Sequence, residues 1–159
     1  MKYALFLLLS ITLIVGGFGC HASLRAEPGP LLGNGEWTSR GTPDLTGRWT
    51  LLSFFLPTCE GCIREVPELT KVQETYGVQG ISVIGVTPVS KVEAHRFAQD
   101  MGLPYPVLAD AAAELEIYGV REVPDTFLVD PDGVVVARGM ELIQEALVSR
   151  FGDPTEPSD

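Results

Sequence analysis

The chain is poor in cysteine, histidine and basic residues. Its 159 residues include three cysteines and two histidines, and 11 lysines and arginines stand against 21 aspartates and glutamates. Three cysteines are too few for a disulfide-stapled scaffold. The net charge of −10 repels the phosphates of DNA and RNA, so we expect no nucleic-acid partner. Hydrophobic residues make up 45% of the chain and charged residues 20%, which is typical of one globular domain with a packed core.

The first segment has the pattern of an export signal. Lys2 precedes an almost unbroken apolar run over residues 3–18, and small residues follow that run. As a helix the run spans about 24 Å, which is short of the ~30 Å hydrocarbon core of a membrane. The pattern predicts a signal peptide or membrane anchor over residues 1–22. The domain behind it is then expected in the bacterial periplasm or at the outer face of the cell membrane, where disulfide chemistry is available.

The end of the apolar run resembles a bacterial lipoprotein signal. In such signals a small residue precedes a cysteine that becomes lipidated, and here Gly19 precedes Cys20. Cys20 is therefore the candidate lipid anchor, although Gly17 stands where these signals usually carry leucine. Cleavage after Ala22 or Ala26, or an uncleaved anchor, are the alternatives.

The rest of the chain predicts a tether, one α/β domain and a short tail. Residues 23–43 are rich in proline and glycine and favour a flexible tether, which leads into a short edge strand near 36–38. Residues 44–151 alternate between apolar β-type runs and helical patterns. Polar residues 152–159 are expected to be a disordered tail. The order β-α-β-α-(β)-α-β-β-α implies a mixed central sheet with helices on both faces.

The predicted elements follow from apolar periodicity and turn residues. Strands are expected at 50–55, 81–86, 106–108, 126–129 and 134–137, and helices at 60–76, 89–101, 111–118 and 141–151. Ile63 and Val92 are expected on the buried faces of the first two helices, because they stand at helical spacing from other apolar residues. Gly77 is expected to end the first helix.

The candidate chemistry is concentrated in Cys59-Glu60-Gly61-Cys62, where a predicted strand passes into a predicted helix. Two cysteines with this spacing at a helix start lie about one turn apart, so their sulfurs can form a disulfide. Unpaired N–H groups and the positive end of the helix dipole favour a thiolate at Cys59. Cys59 is therefore the predicted nucleophile, and Cys62, further into the helix, is the predicted resolving thiol.

Residues 51–69, LLSFFLPTCEGCIREVPEL, resemble the thioredoxin-like, TlpA-type membrane-tethered thiol–disulfide oxidoreductases of the redoxin superfamily, the group of ResA and DsbE (CcmG). The similarity runs from about 44 to 151 and includes ISVIGV, GLPYPVLAD and GVREVPDTFLVDPDG. The resemblance implies a thioredoxin-like fold and an enzyme that reduces disulfides in partner proteins. It implies no cofactor and no metal. The implied partners are a disulfide-containing protein, with apocytochrome c as the first candidate, and a membrane thiol donor.

The resemblance also assigns roles to two residues outside the cysteine pair. Pro124 matches the cis-proline that packs beside the C-x-x-C and helps to dock substrate. Cis bonds are accessible to proline because its trans preference is small. Glu65 matches a glutamate that lines the active-site cavity and tunes cysteine protonation, so it is a candidate proton relay.

Two positions in and beside the motif are expected to shape its chemistry. Thr58 stands where most relatives carry tryptophan, and it could cap the helix; a Pro-Thr-Cys start also occurs in a MauD-like branch. Glu60, an acid that ResA-like proteins share, repels a thiolate at Cys59 and is expected to raise the pKa of that thiol. A less stable thiolate favours the disulfide over the dithiol, which points towards a reductase.

Two other functions stay open at this stage. A peroxiredoxin-type peroxidase belongs to the same superfamily, but such enzymes place threonine or serine three residues before the reactive cysteine, where this chain has Leu56. A copper-binding or copper-delivery protein could use two soft thiolates for Cu(I), but no segment rich in methionine or histidine accompanies them. A structural zinc site would need four ligands, and neither histidine has ligand spacing.

Overall fold

The computed structural model describes residues 32, 35–38 and 42–153. The predicted signal over residues 1–22, the candidate lipid anchor Cys20, and most of the predicted tether and tail lie outside the described residues. Within the described part, no helix is both long enough and apolar enough to cross a membrane.

Strands and helices alternate along the described chain. The strands are β1 (Glu36–Trp37), β2 (Trp49–Phe54), β3 (Ile81–Val86), β4 (Val107–Ala109), β5 (Asp125–Val129) and β6 (Val135–Arg138). The α-helices are α1 (Glu60–Tyr76), α2 (Lys91–Asp100), α3 (Ala112–Ile117) and α4 (Met140–Phe151). Every predicted strand and helix is present, with ends that differ from the prediction by at most two residues.

The strands form one mixed sheet in the order β1-β4-β3-β2-β5-β6. The central strand β2 runs parallel to β3 and antiparallel to β5, and its last residue, Phe54, pairs with Val86 on one side and Asp125 on the other. β1 is the antiparallel edge strand beside β4. The mixed sheet and the short edge strand are therefore confirmed. This topology brings the ends of β2 and β3 to the same edge as the start of β5.

Both faces of the sheet are covered, because successive side chains of each strand point to opposite sides. Leu51 and Val83 belong to a buried cluster with residues of α1, α2 and α4. Leu52 and Ile84 belong to a second cluster, which includes partly buried residues of α3. The expectation of helices on both faces is confirmed, with three helices on one face and the short α3 on the other.

The predicted helices have the right bounds, but two predicted core residues are wrong. Ile63 is 37% exposed and Val92 is 71% exposed. Cys62 in α1 and Ala94 in α2 occupy the buried faces instead. The apolar spacing gave the correct helical period, but the contact with the sheet determines which side of each helix is buried.

Helix α1 ends at Tyr76 and Gly77 is its C-cap, so the predicted end of the helix is confirmed. Gly77 follows the last residue of the helix, but its backbone is right-handed, with φ −58° and ψ −38°. The chain continues through a 3-10 turn over Gly77–Gln79. The left-handed residue is Gly80, at φ +101°, where glycine is favoured because it has no Cβ. The chain therefore turns into β3 at Gly80, after the 3-10 turn.

Candidate active site

The cysteine pair lies between the end of β2 and the first turn of α1. Cys59 is the N-cap of α1, and its Sγ accepts a hydrogen bond from the backbone N–H of Cys62 at 3.2 Å. The two sulfurs are bonded to each other, and the Cα atoms are 5.2 Å apart. Thr58, which the sequence offered as a possible cap, is exposed and does not cap the helix. The sulfur cap at Cys59 places this atom where N–H groups can stabilise a thiolate.

The two cysteines differ in accessibility. Cys62 is 3% exposed and belongs to the main buried cluster, whereas Cys59 is partly exposed at its edge. An attacking sulfur must be reachable by a second protein, and a resolving sulfur must be shielded until the mixed disulfide has formed. The positions of the two sulfurs therefore suit the roles that the sequence predicts for them.

The loop that precedes β5 lies against this motif. The Val123–Pro124 peptide bond is cis, and Cys59 Sγ lies 3.6 Å from the carbonyl oxygen of Val123. A Cβ at Gly61 would lie 3.2 Å from Pro124 Cδ and 3.8 Å from Cys59 Sγ. Gly61 thus lets α1 approach the exposed Pro124 closely. Cys59 Sγ therefore has neighbours from two segments that are distant in the sequence, the start of α1 and the loop before β5.

Glu65 connects α1 to the neighbouring strands β2 and β5. Its carboxylate accepts hydrogen bonds from Ser53 Oγ on β2 at 3.3 Å and from Thr126 Oγ1 on β5 at 3.1 Å. Ser53 and Thr126 are directly paired across the two strands. Both are buried. The predicted relay residue is therefore held at a fixed place beneath the helix, one turn beyond Cys62.

The environment of Glu65 favours its protonated form. Burial raises the pKa of this carboxyl above its ordinary value near 4.5, and the negative charges of Glu68 and Asp125 add to the effect. The hydrogen bonds from Thr126 and Ser53 act in the opposite direction but do not cancel the effect of burial. A carboxyl with a raised pKa can accept and return a proton closer to neutral pH than an exposed glutamate can.

A small cavity lies beside Cys62, and Cys59 is not among the residues that line it. Its walls include Cys62, Ser53, Phe55, Phe97 and Tyr105. Burial raises the pKa of the Tyr105 phenol, with a further contribution from the charge of Glu65, so this group stays protonated at neutral pH. The glutamate itself is not among the residues that line this cavity. Ser53 is the residue that touches both the cavity and the carboxylate.

Sequence reasoning missed Ser53, Thr126 and Tyr105. The signal for Ser53 was a single polar residue inside the apolar run LLSFF, and Thr126 stands similarly at the start of β5. A hydroxyl in a buried strand needs a hydrogen-bond partner, which marks such positions as candidates. Their partner Glu65 is 12 and 61 residues away in the chain, so the sequence alone does not identify it.

Glu60 lies on the outside of the motif. Its side chain is 91% exposed and forms an ion pair with Arg64 at 3.8 Å. The positive charge of Arg64 partly offsets the negative charge of Glu60, and solvent screens both charges. The effect of Glu60 on the thiol of Cys59 stays a prediction. Among the described residues, no group of three or more histidine, cysteine, aspartate or glutamate side chains is arranged to hold a metal ion.

These features define a thioredoxin-like α/β protein with a C-x-x-C disulfide at the start of its first long helix. A structure from Neisseria meningitidis named as a thioredoxin is similar at a TM-score of 0.59 and 28% identity, over 69% of this chain and 79% of that one. A DsbE-type thiol:disulfide interchange protein of Chlorobium tepidum has the same fold, at a TM-score of 0.59 and 23% identity over 65% of this chain and 81% of that one.

The chain belongs to the AhpC/TSA family, whose sequence profile matches residues 28–138. It is 29% identical to the thiol-disulfide oxidoreductase ResA of Bacillus subtilis over 118 residues, which cover 73% of this chain and 66% of the relative. The match thus spans just under two thirds of that relative's length. The resemblance to ResA- and DsbE-type thioredoxin-like proteins that the sequence predicted is confirmed.

Proposed function

We propose that this protein is a thiol–disulfide oxidoreductase that reduces disulfides in partner proteins outside the cytoplasm. The observation that carries the proposal is the asymmetry of the Cys59–Cys62 pair. One sulfur is accessible beside the Pro124 loop, and the other is buried above a cavity. The names of the matched relatives support the same class of activity.

In the proposed cycle, the thiolate of Cys59 attacks one sulfur of the partner's disulfide. A bond forms between Cys59 and that sulfur, and the other partner sulfur leaves as a thiolate. Cys62 then loses its proton and attacks Cys59 Sγ, which forms the Cys59–Cys62 disulfide and releases the second partner sulfur. Two electrons pass from the dithiol to the partner. Glu65 is proposed to take the proton of Cys62.

The site suits this cycle in two ways. The N-terminal turn of α1 presents N–H groups to Cys59, and these groups favour its thiolate over its thiol. Val123 has its carbonyl oxygen beside the same sulfur, so the backbone next to Pro124 is close enough to align an extended segment of a partner protein. Neither feature selects a particular partner.

The location and the partners rest on the sequence. We propose that residues 1–22 direct export and that Cys20 or the apolar run keeps the domain at the membrane. A membrane thiol donor would then reduce the Cys59–Cys62 disulfide after each turnover. Cytochrome c maturation is the proposed pathway, with an oxidised apocytochrome as the first substrate to try.

A redox titration tests the proposed activity. The protein is equilibrated in glutathione or dithiothreitol buffers, and Cys59 and Cys62 are followed by thiol labelling. A midpoint near or below about −250 mV supports a reductase. A midpoint between about −180 and −120 mV indicates an oxidase or isomerase instead. Absence of a reversible disulfide contradicts the proposal.

A trapping experiment tests the predicted division of labour. Cys62→Ser is expected to accumulate a mixed disulfide with the partner, because Cys59 can attack but nothing resolves the product. Cys59→Ser is the matched control and is expected to trap nothing. Peroxide consumption by the reduced wild type without disulfide reduction would favour the peroxidase alternative. Membrane retention after Cys20→Ala in an exported protein would argue against the lipid anchor.

A further inference from the structure

We infer that Ser53 is a positioning residue that conducts a proton from Cys62 to Glu65 during the resolving step. This inference rests on the proposed function. It concerns how the buried thiol loses its proton, since Cys62 is 3% exposed and solvent has little access to it.

The acid and the thiol do not line the same cavity. Cys62 lines the small cavity behind α1, and Glu65 does not. Ser53 lines the same cavity and its hydroxyl donates to Glu65 Oε2 at 3.3 Å. A hydroxyl is both a donor and an acceptor, so Ser53 can accept a proton from the cavity side and pass its own to the carboxylate.

Thr126 provides a natural comparison. Its hydroxyl also donates to Glu65, at 3.1 Å from one carboxylate oxygen and 3.3 Å from the other. It is as buried as Ser53 and lies opposite it in the sheet. Thr126 does not line the cavity that Cys62 faces. The two hydroxyls therefore hold Glu65 alike, but of the two only Ser53 lines the cavity that Cys62 also lines.

The proton balance of the step is simple. The Cys62 thiol gives its proton to a water molecule in the cavity, and that water passes a proton to Ser53 Oγ. The Ser53 hydroxyl proton then moves to the Glu65 carboxylate. The Cys62 thiolate forms a bond with Cys59 Sγ, and the bond from Cys59 to the partner sulfur breaks. The partner leaves as a thiolate, and Glu65 later returns its proton to solvent.

Other ionisable groups surround the relay and belong in any interpretation of its pH dependence. Glu68 on α1 and Asp125 on β5 raise the pKa of the Glu65 carboxyl through their charges. Asp125 is itself paired with Arg138 on β6. Tyr105, before β4, lines the cavity, and the charge of Glu65 raises the pKa of its phenol. None of these groups changes between the variants compared below.

The test follows the two thiols separately. The full chain carries Cys20→Ser, which leaves Cys59 and Cys62 as its only cysteines, and is kept in detergent. The reduced protein reacts with a limiting amount of the aromatic disulfide dithiobis(nitrobenzoate). Attack by Cys59 releases one coloured thiolate, and attack by Cys62 on the mixed disulfide releases the second. The slower second phase reports the resolving step, and the first phase is an internal control.

Ser53→Ala is expected to slow the second phase about tenfold near pH 7, a modest part of the effect typical of general acid–base groups. The first phase should change less than twofold. The deficit should narrow as the pH rises, because hydroxide from the solvent then competes with the relay for the thiol proton. Ser53→Thr, which keeps the hydroxyl, should restore most of the rate.

Comparison with Thr126→Val distinguishes relay from support of Glu65. The relay predicts that Ser53→Ala is at least about fivefold slower than Thr126→Val in the second phase, and that Ser53→Ala has no further effect in a Glu65→Gln background. Equal slowing by the two variants, additive slowing in that background, or a deficit that does not narrow as the pH rises overturns the inference. If the parent protein releases only one coloured thiolate for each molecule of reagent consumed, the proposed function fails. If the parent shows both phases and Ser53→Ala matches it, only the relay fails.

Discussion

Glu65→Gln is expected to make the oxidised protein more stable at neutral pH, although it removes the proposed proton acceptor. The carboxyl of Glu65 has a raised pKa in the folded protein because it is buried. In the unfolded chain it titrates near its ordinary value of 4.5. Between these two pKa values the folded state holds the proton more tightly than the unfolded state. The stability contributed by Glu65 is therefore present at low pH and is lost as the pH rises through the folded pKa.

The magnitude follows from the proton count. One proton bound by the folded state but not by the unfolded state changes the free energy of unfolding by at most about 1.4 kcal/mol per pH unit. The change in the free energy of unfolding per pH unit should be below this limit. The carboxylate keeps some contact with solvent and accepts hydrogen bonds from two hydroxyls, and both effects reduce the rise of its pKa. Glutamine keeps the size of the side chain and can still bond to Ser53 and Thr126, but it carries no charge.

Urea unfolding of the oxidised wild type and of Glu65→Gln, between about pH 5 and pH 8, tests this expectation. The stability advantage of the variant should grow with pH and then become constant above the folded pKa. Glu74→Gln, which removes an exposed charge on the same helix that does not act on Glu65, is the control for a general effect of net charge. An advantage for Glu65→Gln that does not change with pH, or a less stable variant at pH 8, would refute the reasoning from burial.

Three further substitutions test the fold that holds the site, each by urea unfolding. Phe151→Ala should lower the free energy of unfolding by about 3 kcal/mol, at the low end for such a change. The Phe151 ring packs edge-on against Trp49, with ring centroids 5.8 Å apart, and against Tyr76, with centroids 6.0 Å apart. A loss below about 1 kcal/mol would show that α4 is not anchored there. Ser90→Ala should cost about 1 kcal/mol by removing the N-cap of α2, and Ser90→Thr should recover most of it. Gly80→Ala should cost about 1–2 kcal/mol, because Gly80 has φ +101° with open space around it; no loss would mean that the turn can adopt another conformation.

The local features of this protein were predictable because they depend on neighbouring residues. Apolar periodicity gave the strands and helices, and the C-x-x-C at a strand-to-helix passage gave the cysteine pair. The side of each helix that would be buried was harder to predict. Ile63 and Cys62 are adjacent and both apolar, and packing against the sheet buries Cys62 while leaving Ile63 37% exposed.

The tertiary structure decided which groups serve the cysteines. Ser53, Glu65 and Thr126 come from β2, α1 and β5, and no local pattern links them. The pairing of β2 with β5 places the two hydroxyls side by side, and the packing of α1 on the sheet brings Glu65 onto both. The sequence by itself determined the reactive pair, because one helical turn fixes the spacing of Cys59 and Cys62. Only the folded sheet determined its proton environment, because burial and hydrogen bonding depend on contacts between distant segments.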